Sequence, residues 1–380
     1  MSKILINSGS YNQLYDIDHL YRAYKNAFRG NSKDQEAIKF TANLGKELLS
    51  LYKEISEKTY KPGLYRSFVV QETKRRVIEA LPFRDRVAQH VLYDFIAPKY
   101  DKIFISTSYA NRKGLGTQRG MLKEQEYLRK AGKGSWVLKG DIHHFFNSIK
   151  PSILKSILAK KIKDPDILNF CAMFMPKRES GIPIGNVTSQ LYANIYLNEF
   201  DHFIKDTLRV KYYIRYMDDF VMNLPTKEDA LYVLQQAKSF LKNKLQLELN
   251  SKTQVFKEKQ GVNFLGGIIY YNHIKIRHST VKNIKRKIRA FSKKYIKAQD
   301  IRLYNIKLYP TYNSWRGLSR YFNARTIERY IEERITSLGI NKLEKIKKIN
   351  PYNRKIRYRT KINIEETFYS SYYINYLIDH

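Results

Sequence analysis

Apolar residues recur along this chain with two periods, and the switches between them mark out its elements. Ile17, Leu20, Tyr21 and Tyr24, then Leu44, Leu48, Leu49 and Tyr52, fall at helical spacing, which predicts helices through about residue 60. A turn at Pro62-Gly63 opens a strand-like stretch over 65–70, and residues 73–78 predict a strand–turn–strand tip carrying Lys74, Arg75 and Arg76. A helix is predicted over 85–100, a loop with Gly114, Gly116 and Gly120 over 104–120, and a strand over 136–142. Further on the pattern predicts a helix over 186–206, a hairpin over 212–222 and a helix over 228–247. After about residue 280 it becomes a series of very basic helices, and from about 340 it is basic and Tyr-rich. No internal repeat is visible.

Composition narrows the class. Hydrophobic residues make up 43% and aromatics 14% of the 380 residues, too apolar for a disordered basic protein. The length predicts two or three packed units. One cysteine, Cys171, excludes an internal disulfide framework and a Cys-rich zinc site. The N-terminal residues lack the apolar core of a signal peptide, and no run of eighteen apolar residues occurs. The expected location is the cytoplasm, with no membrane partner.

Charge then points to a partner. Lys and Arg number 70 against 35 Asp and Glu, so the formal net charge is 70 − 35 = +35. Such an excess favours a polyanion, with nucleic acid the first candidate and an anionic membrane surface the second. AT-rich coding would raise Lys, Ile, Asn and Tyr together, but does not account for Asp and Glu staying low.

Three segments carry the chemistry. In Trp136–Phe146 a mostly apolar run ends in Asp141, which places an acid at the exposed end of a buried strand. In Tyr213–Met222 two apolar halves flank Asp218-Asp219, which predicts a hairpin with carboxylates at its tip. Taken singly, each is as well read as a solvated turn. An acid pair inside apolar sequence, however, calls for a cation. Oxygen ligands without nearby Cys favour Mg²⁺ or Mn²⁺ over zinc. In the third segment, 181–198, a Gly/Pro loop leads into a helix with Leu191, Ile195 and Asn198 on one face. Acids from separate strands can hold two ions about 3.5–4 Å apart for in-line phosphoryl transfer.

Read in order, these segments resemble reverse transcriptases over roughly residues 60–325. Tyr216-Met217-Asp218-Asp219 resembles the family's YxDD box, Asp141 with Phe145-Phe146 the palm motif of the first catalytic acid, and 181–197 the helix motif after it. Arg84–Gln89 and Ser108–Gly114 resemble finger motifs of group II intron-like bacterial members. Leu249–Thr253 resembles a later palm motif, Phe264-Leu265-Gly266 the primer-grip turn, and Ser314-Trp315-Arg316-Gly317 a thumb motif.

The resemblance implies an α+β right-hand polymerase fold, with fingers, an antiparallel-sheet palm and a helical thumb. The boundaries expected are an N-terminal helical extension over 1–60, fingers over 61–135, palm over 136–275, thumb over 276–335 and a basic tail over 336–380. It implies an RNA-directed DNA polymerase with Asp141, Asp218 and Asp219 as catalytic and metal-site acids, and the Ile142 carbonyl as a further ligand. Arg76, Phe146, Ile184, Gln190 and Lys252 are the expected dNTP contacts, with Phe146 screening the sugar 2′ position and Lys252 set to protonate pyrophosphate. Arg112, Lys113, Lys285, Arg286, Arg289 and Trp315 are the expected nucleic-acid contacts. The expected partners are an RNA template, its DNA product, a cognate structured RNA and an accessory protein.

Two departures narrow the subfamily. Ile184 precedes Gly185 where many members have Gln, and Gln190 follows Ser189 where many have Pro. This style resembles the reverse transcriptases of diversity-generating retroelements, noted for error-prone copying of adenines. It also occurs in domesticated phage-defence enzymes, some protein-primed or dependent on a dedicated RNA. A non-catalytic RNA-binding scaffold is the alternative from another class. No endonuclease or RNase H segment is recognisable. In 281–297, Ile284, Ile288, Phe291 and Tyr295 give a helical apolar face among basic residues, the pattern of a helix lying along a phosphate backbone. The tail, including 353–359, suits structured RNA or a protein partner.

Overall fold

The structure is a computed structural model describing residues 9–71, 75–298, 312–313, 315, 322 and 324–337, with the side chains of all of these except 294–298 and 325. Lys74, the Tyr295 side chain, most of the 314–317 motif and the tail from 338 lie outside the described residues. The chain divides into two compact units: residues through 265 together with 269–272, and 266–268 together with residues from 273 on.

The first unit opens with helices α1 (Ile17–Phe28), α2 (Gln35–Ala42) and α3 (Leu44–Ser56), as the periodicity predicts. Asp16 caps α1 by accepting the Asp18 amide at 3.1 Å, and Asp34 caps α2 through Glu36 in the same way. The buried stripe Leu20, Ala23, Tyr24 and Ala27 packs α1 on α4 (Phe83–Asp101). Between them β1 (Arg66–Gln71) and β2 (Arg75–Ala80) form an antiparallel hairpin, largely exposed. Its base is pinned by buried Asp85, which accepts from the Tyr60 hydroxyl at 2.6 Å and the Gly63 amide at 3.0 Å.

Three helices escape the sequence pattern. The loop expected through residue 120 ends at Gly116, and α5 (Thr117–Ala131) begins there. Gly120 reads as a loop residue, yet it is a packing position: a Cβ there would lie 2.6 Å from a Leu265 methyl. Two others, α7 (Pro151–Lys161) and α8 (Pro165–Met173), follow β3 (Trp136–Asp141) and the single turn α6 (Phe145–Ser148). Each begins with proline in its first turn.

The centre is a four-stranded antiparallel sheet of order β4-β5-β3-β6, where β4 is Tyr212–Tyr216, β5 Asp219–Leu224 and β6 Gln254–Lys257. Two helices close its rear. In α9 (Val187–His202) residues on every side are buried, so it is a central helix and not the one-faced helix its pattern suggests. In α10 (Lys227–Leu245) a Thr226/Asp229 capping box starts the helix, and Ala230, Val233, Ala237, Leu241 and Leu245 form the buried stripe.

Alternation along the strands sorts the sheet into two faces. Phe220, Met222 and Tyr213 look rearward, with the Phe200 ring 5.4 Å from Phe220. Asp141, Lys139 and Val137 share the front with Asp219, Val221 and Asn223, their register partners. The lower front is covered by α5, whose Glu124 is fully buried and accepts from the Asn223 amide at 3.0 Å. The fold is α+β, as expected.

In the second unit α11 (His278–Ala298) packs on α12 (Arg325–Thr336). Ile284, Ile288 and Phe291 are its buried stripe, as the spacing predicts, while Lys282, Arg286, Arg289 and Lys293 stay exposed. Lys285 lies over the Tyr330 ring at 4.7 Å. Among the described residues no helix is long and apolar enough to cross a membrane.

Burial pushes Glu124 up from 4.5 to about 8. The folded state therefore holds a proton that the unfolded chain releases near 4.5. The stability this gives is fully present below that value and is lost as pH rises towards 8. Thermal melts across this window should show wild type losing ground steadily to Glu124→Gln, with the variant the more stable at pH 8.

Candidate active site

The geometry of the candidate site begins at a turn. The strands β4 and β5 are joined by the two-residue loop Met217-Asp218, with Tyr216 and Asp219 the last cross-strand pair. Met217 has φ 56°, a left-handed conformation that glycine takes freely and methionine does not. On the other side of β5, Asp219 faces Asp141 across the β3–β5 ladder. The Ile142 amide donates to the Asp218 carbonyl at 3.3 Å. Three carboxylates from two strands and a turn thus share one end of the sheet's front.

Like charges set opposite one another are unfavourable, and each acid meets this differently. Asp141 accepts from the Asn250 side-chain amide at 3.2 Å and its carbonyl from the Asn250 backbone amide at 2.7 Å. Asp219 has Lys139 Nζ 3.1 Å from Oδ1. Asp218 is pushed up to about 6, first by burial and then by the charges of Asp141 and Asp219. Directly behind, Gly140 leaves room for the Phe220 ring: a Cβ there would lie 2.2 Å from it. Only glycine lets this aromatic ring sit under the acids.

One buried guanidinium holds the turn. Arg215 has no solvent exposure. Its Nε and Nη2 donate to the two oxygens of Asp201 at 2.7 and 2.6 Å. Nη1 reaches Asn194 Oδ1 at 3.2 Å and the Met217 carbonyl at 2.9 Å, and Nη2 reaches Ser108 Oγ at 3.1 Å. Its backbone pairs with Thr107 and Tyr109, so the loop before α5 lies along β4. Sequence reasoning passed over Arg215, Asp201 and Asn194. The available signal was a charged residue inside the apolar run Tyr213-Ile214-Arg215, which demands a partner.

The donor set suits a hard divalent ion: carboxylates and a carbonyl, without thiolate. The His143 and Asn250 amides bond to Glu248 and Asp141 and leave the Ile142 carbonyl out of that pairing. Among the described residues no group of three or more His, Cys, Asp or Glu side chains is placed to hold a metal ion. Mg²⁺ is commonly bound by one or two carboxylates together with water and substrate phosphate.

Other expected positions spread around this end of the first unit. Phe146 is half-buried on α6, its ring 5.7 Å from Phe145, and its carbonyl accepts the Ile182 amide at 2.8 Å. Ile184 is half-buried, and its carbonyl accepts the Glu79 amide of β2 at 3.2 Å. Arg178 adds a two-point bond to Glu79. The hairpin that carries exposed Arg76 is therefore tied to the loop before α9. Gln190 sits half-buried in the first turn of α9, and Lys252 is exposed, its amide donating to Asn250 Oδ1 at 3.1 Å.

Two expected nucleic-acid contacts have internal roles. Arg112 bonds Asp101 and the carbonyls of Ile105 and Ser108, and lies over Phe104. Its guanidinium fastens the loop to α4. Trp315 is buried in the second unit. Lys113 is exposed in the first unit, and Lys285, Arg286 and Arg289 lie on α11 in the second.

Acids at one end of an antiparallel sheet backed by helices are the arrangement expected of a polymerase palm. The sequence matches the reverse transcriptase (RNA-dependent DNA polymerase) family over residues 60–269, and the chain belongs to that family. Among curated proteins it is similar to the group II intron-encoded protein LtrA of Lactococcus lactis subsp. cremoris, 23% identical over 336 residues, covering 67% of this chain and 55% of that protein. It is also similar to protein YkfC of Escherichia coli (strain K12), 24% identical over 273 residues, covering 59% of this chain and 71% of that protein. The chain spans about half the length of LtrA. Among solved structures, telomerase from Candida albicans with a fragment of telomeric RNA aligns at TM-score 0.47 and 12% identity, over 74% of this chain and 56% of that one.

Breaking the Arg215–Asp201 pair from one side strands a buried charge. Asp201→Asn should cost about 3–5 kcal/mol in denaturant unfolding. The double variant Asp201→Leu/Arg215→Met should be less destabilised than the sum of its singles.

Proposed function

We propose that this chain is an RNA-directed DNA polymerase that extends a primer at Asp141, Asp218 and Asp219. The observation that carries the reading is the gathering of these acids at one end of the front face, with Asp218 held near 6 by burial and by its two neighbours. A pair of Mg²⁺ or Mn²⁺ ions, held by the three carboxylates and the Ile142 carbonyl, would supply Lewis-acid activation of the primer hydroxyl and charge neutralisation at the triphosphate.

The remaining work falls to the chain's own groups. Arg76 on the exposed hairpin clamps the triphosphate. The Phe146 ring closes on C2′ of the sugar and excludes a 2′-hydroxyl. Asn250 orients Asp141, and Lys252, two residues on, presents a proton donor to pyrophosphate. Ile184 and Gln190 border the incoming base. On this reading residues 61–135 serve as fingers, 136–275 as palm and 276–335 as thumb. His278, Lys282, Lys285, Arg286, Arg289 and Lys293 line a groove of about 570 Å³ along α11, suited to the phosphates of a template–primer duplex. A cognate structured RNA and an accessory protein complete the set of partners.

Primer extension with dNTPs on an RNA template tests the activity. Asp218→Asn should lose at least about 100-fold, and Asn250→Ala, which removes only the amide on Asp141, about tenfold. Full activity in Asp218→Asn, or tight RNA binding without any incorporation by wild type, would leave a non-catalytic scaffold as the better reading.

Ile184 and Gln190 further support a retroelement enzyme of the diversifying kind, since an apolar side chain at 184 offers the nucleotide no hydrogen bond. Sequenced cDNA should carry errors concentrated opposite template adenine. Errors spread evenly over the four bases, or DNA attached covalently to a tyrosine, would instead mark a domesticated defence polymerase.

A further inference from the structure

Lys139 stands two residues before Asp141 and opposite Val221, so strand alternation puts its side chain on the face that carries Asp141 and Asp219. Its ammonium lies 3.1 Å from Asp219 Oδ1, with 20% of the Lys139 and 27% of the Asp219 side chain exposed. The two groups form an ion pair. Lysine is suited to such a contact, being a compact charge on a flexible four-carbon stem. Asp141 is fixed differently, by an uncharged amide that can stay where it is when a cation arrives.

We propose that Lys139 is a resident counter-ion for Asp219, which neutralises this carboxylate until a divalent ion binds and then transfers to a backbone phosphate of the bound nucleic acid. This rests on the reading of the three acids as metal ligands. The exchange follows from charge. A divalent ion at Asp219 would repel an ammonium 3.1 Å from the same oxygen, and the displaced lysine would remain on the sheet's front, where a bound nucleic acid would bring phosphates as the next anions. Ion and nucleic acid then favour each other, because each is helped by the same movement of one side chain.

The test is a titration of the full chain with Mn²⁺ alone, followed by electron paramagnetic resonance of the free ion. It is run with and without an RNA–DNA template–primer duplex. Without duplex, Lys139→Met should bind Mn²⁺ about fivefold tighter than wild type, and Lys139→Arg, which keeps the charge, should bind like wild type. Duplex should tighten Mn²⁺ binding by wild type more than by Lys139→Met. Equal or weaker binding by Lys139→Met, in a background where Asp218→Asn abolishes binding, overturns the proposal alone. Binding indifferent to Asp218→Asn overturns the metal-site reading and this proposal with it.

Discussion

The turn that carries Asp218 depends on a buried ion pair. A guanidinium without solvent contact has to place its donors on the protein, since an unpaired buried charge is far costlier than any neutral mismatch. Arg215 places them on Asp201, Asn194, Ser108 and the Met217 carbonyl. The requirement fixes the central helix, the loop before α5 and the turn in one arrangement. It also explains a methionine with φ 56°. A left-handed non-glycine residue costs about 1–2 kcal/mol, whereas a hydrogen bond to a charged donor contributes about 1.5–3 kcal/mol. The bond to the carbonyl of Met217 therefore offsets the strain at the same residue.

That rigidity is what lets three acids stand together. Each is kept tolerable by a different device: an amide for Asp141, an ammonium for Asp219, and for Asp218 a shift that favours the proton. Three carboxylates at one end of the sheet are thus each held by a different kind of partner or environment. The excess of positive charge elsewhere works in the opposite sense and favours a polyanion. A small acidic centre thus stands within a chain of net charge +35.

Much of this was legible in the sequence because strand alternation is a short-range rule. Asp141 at the end of an apolar run and Asp218-Asp219 between two apolar halves define their own strands, and the structure places both ends side by side. The network behind them was not legible. Arg215 finds its partners 14, 21 and 107 residues away, and no local period announces such pairings. The same limit misled the reading of Arg112 and Trp315. Both residue types are common at nucleic-acid surfaces, and only the fold shows that Asp101 and a packed interior take them first. Helix α5 was hidden by Gly120, a residue that normally punctuates but here makes room for Leu265.

The loop before α9 separates what a residue does for the fold from what it offers a substrate. At position 184 the tie to the β1–β2 hairpin is made by the backbone carbonyl, which any side chain leaves in place. The neighbouring position has no such freedom. Gly185 has φ 116°, and a Cβ would lie 2.8 Å from an Ile78 methyl. Bidentate Arg178 then locks the same strand through Glu79. An exchange of Ile184 for a polar residue would therefore leave the backbone bond that joins hairpin and loop in place. The link between loop and hairpin at this position is thus carried by the backbone and not by the Ile184 side chain.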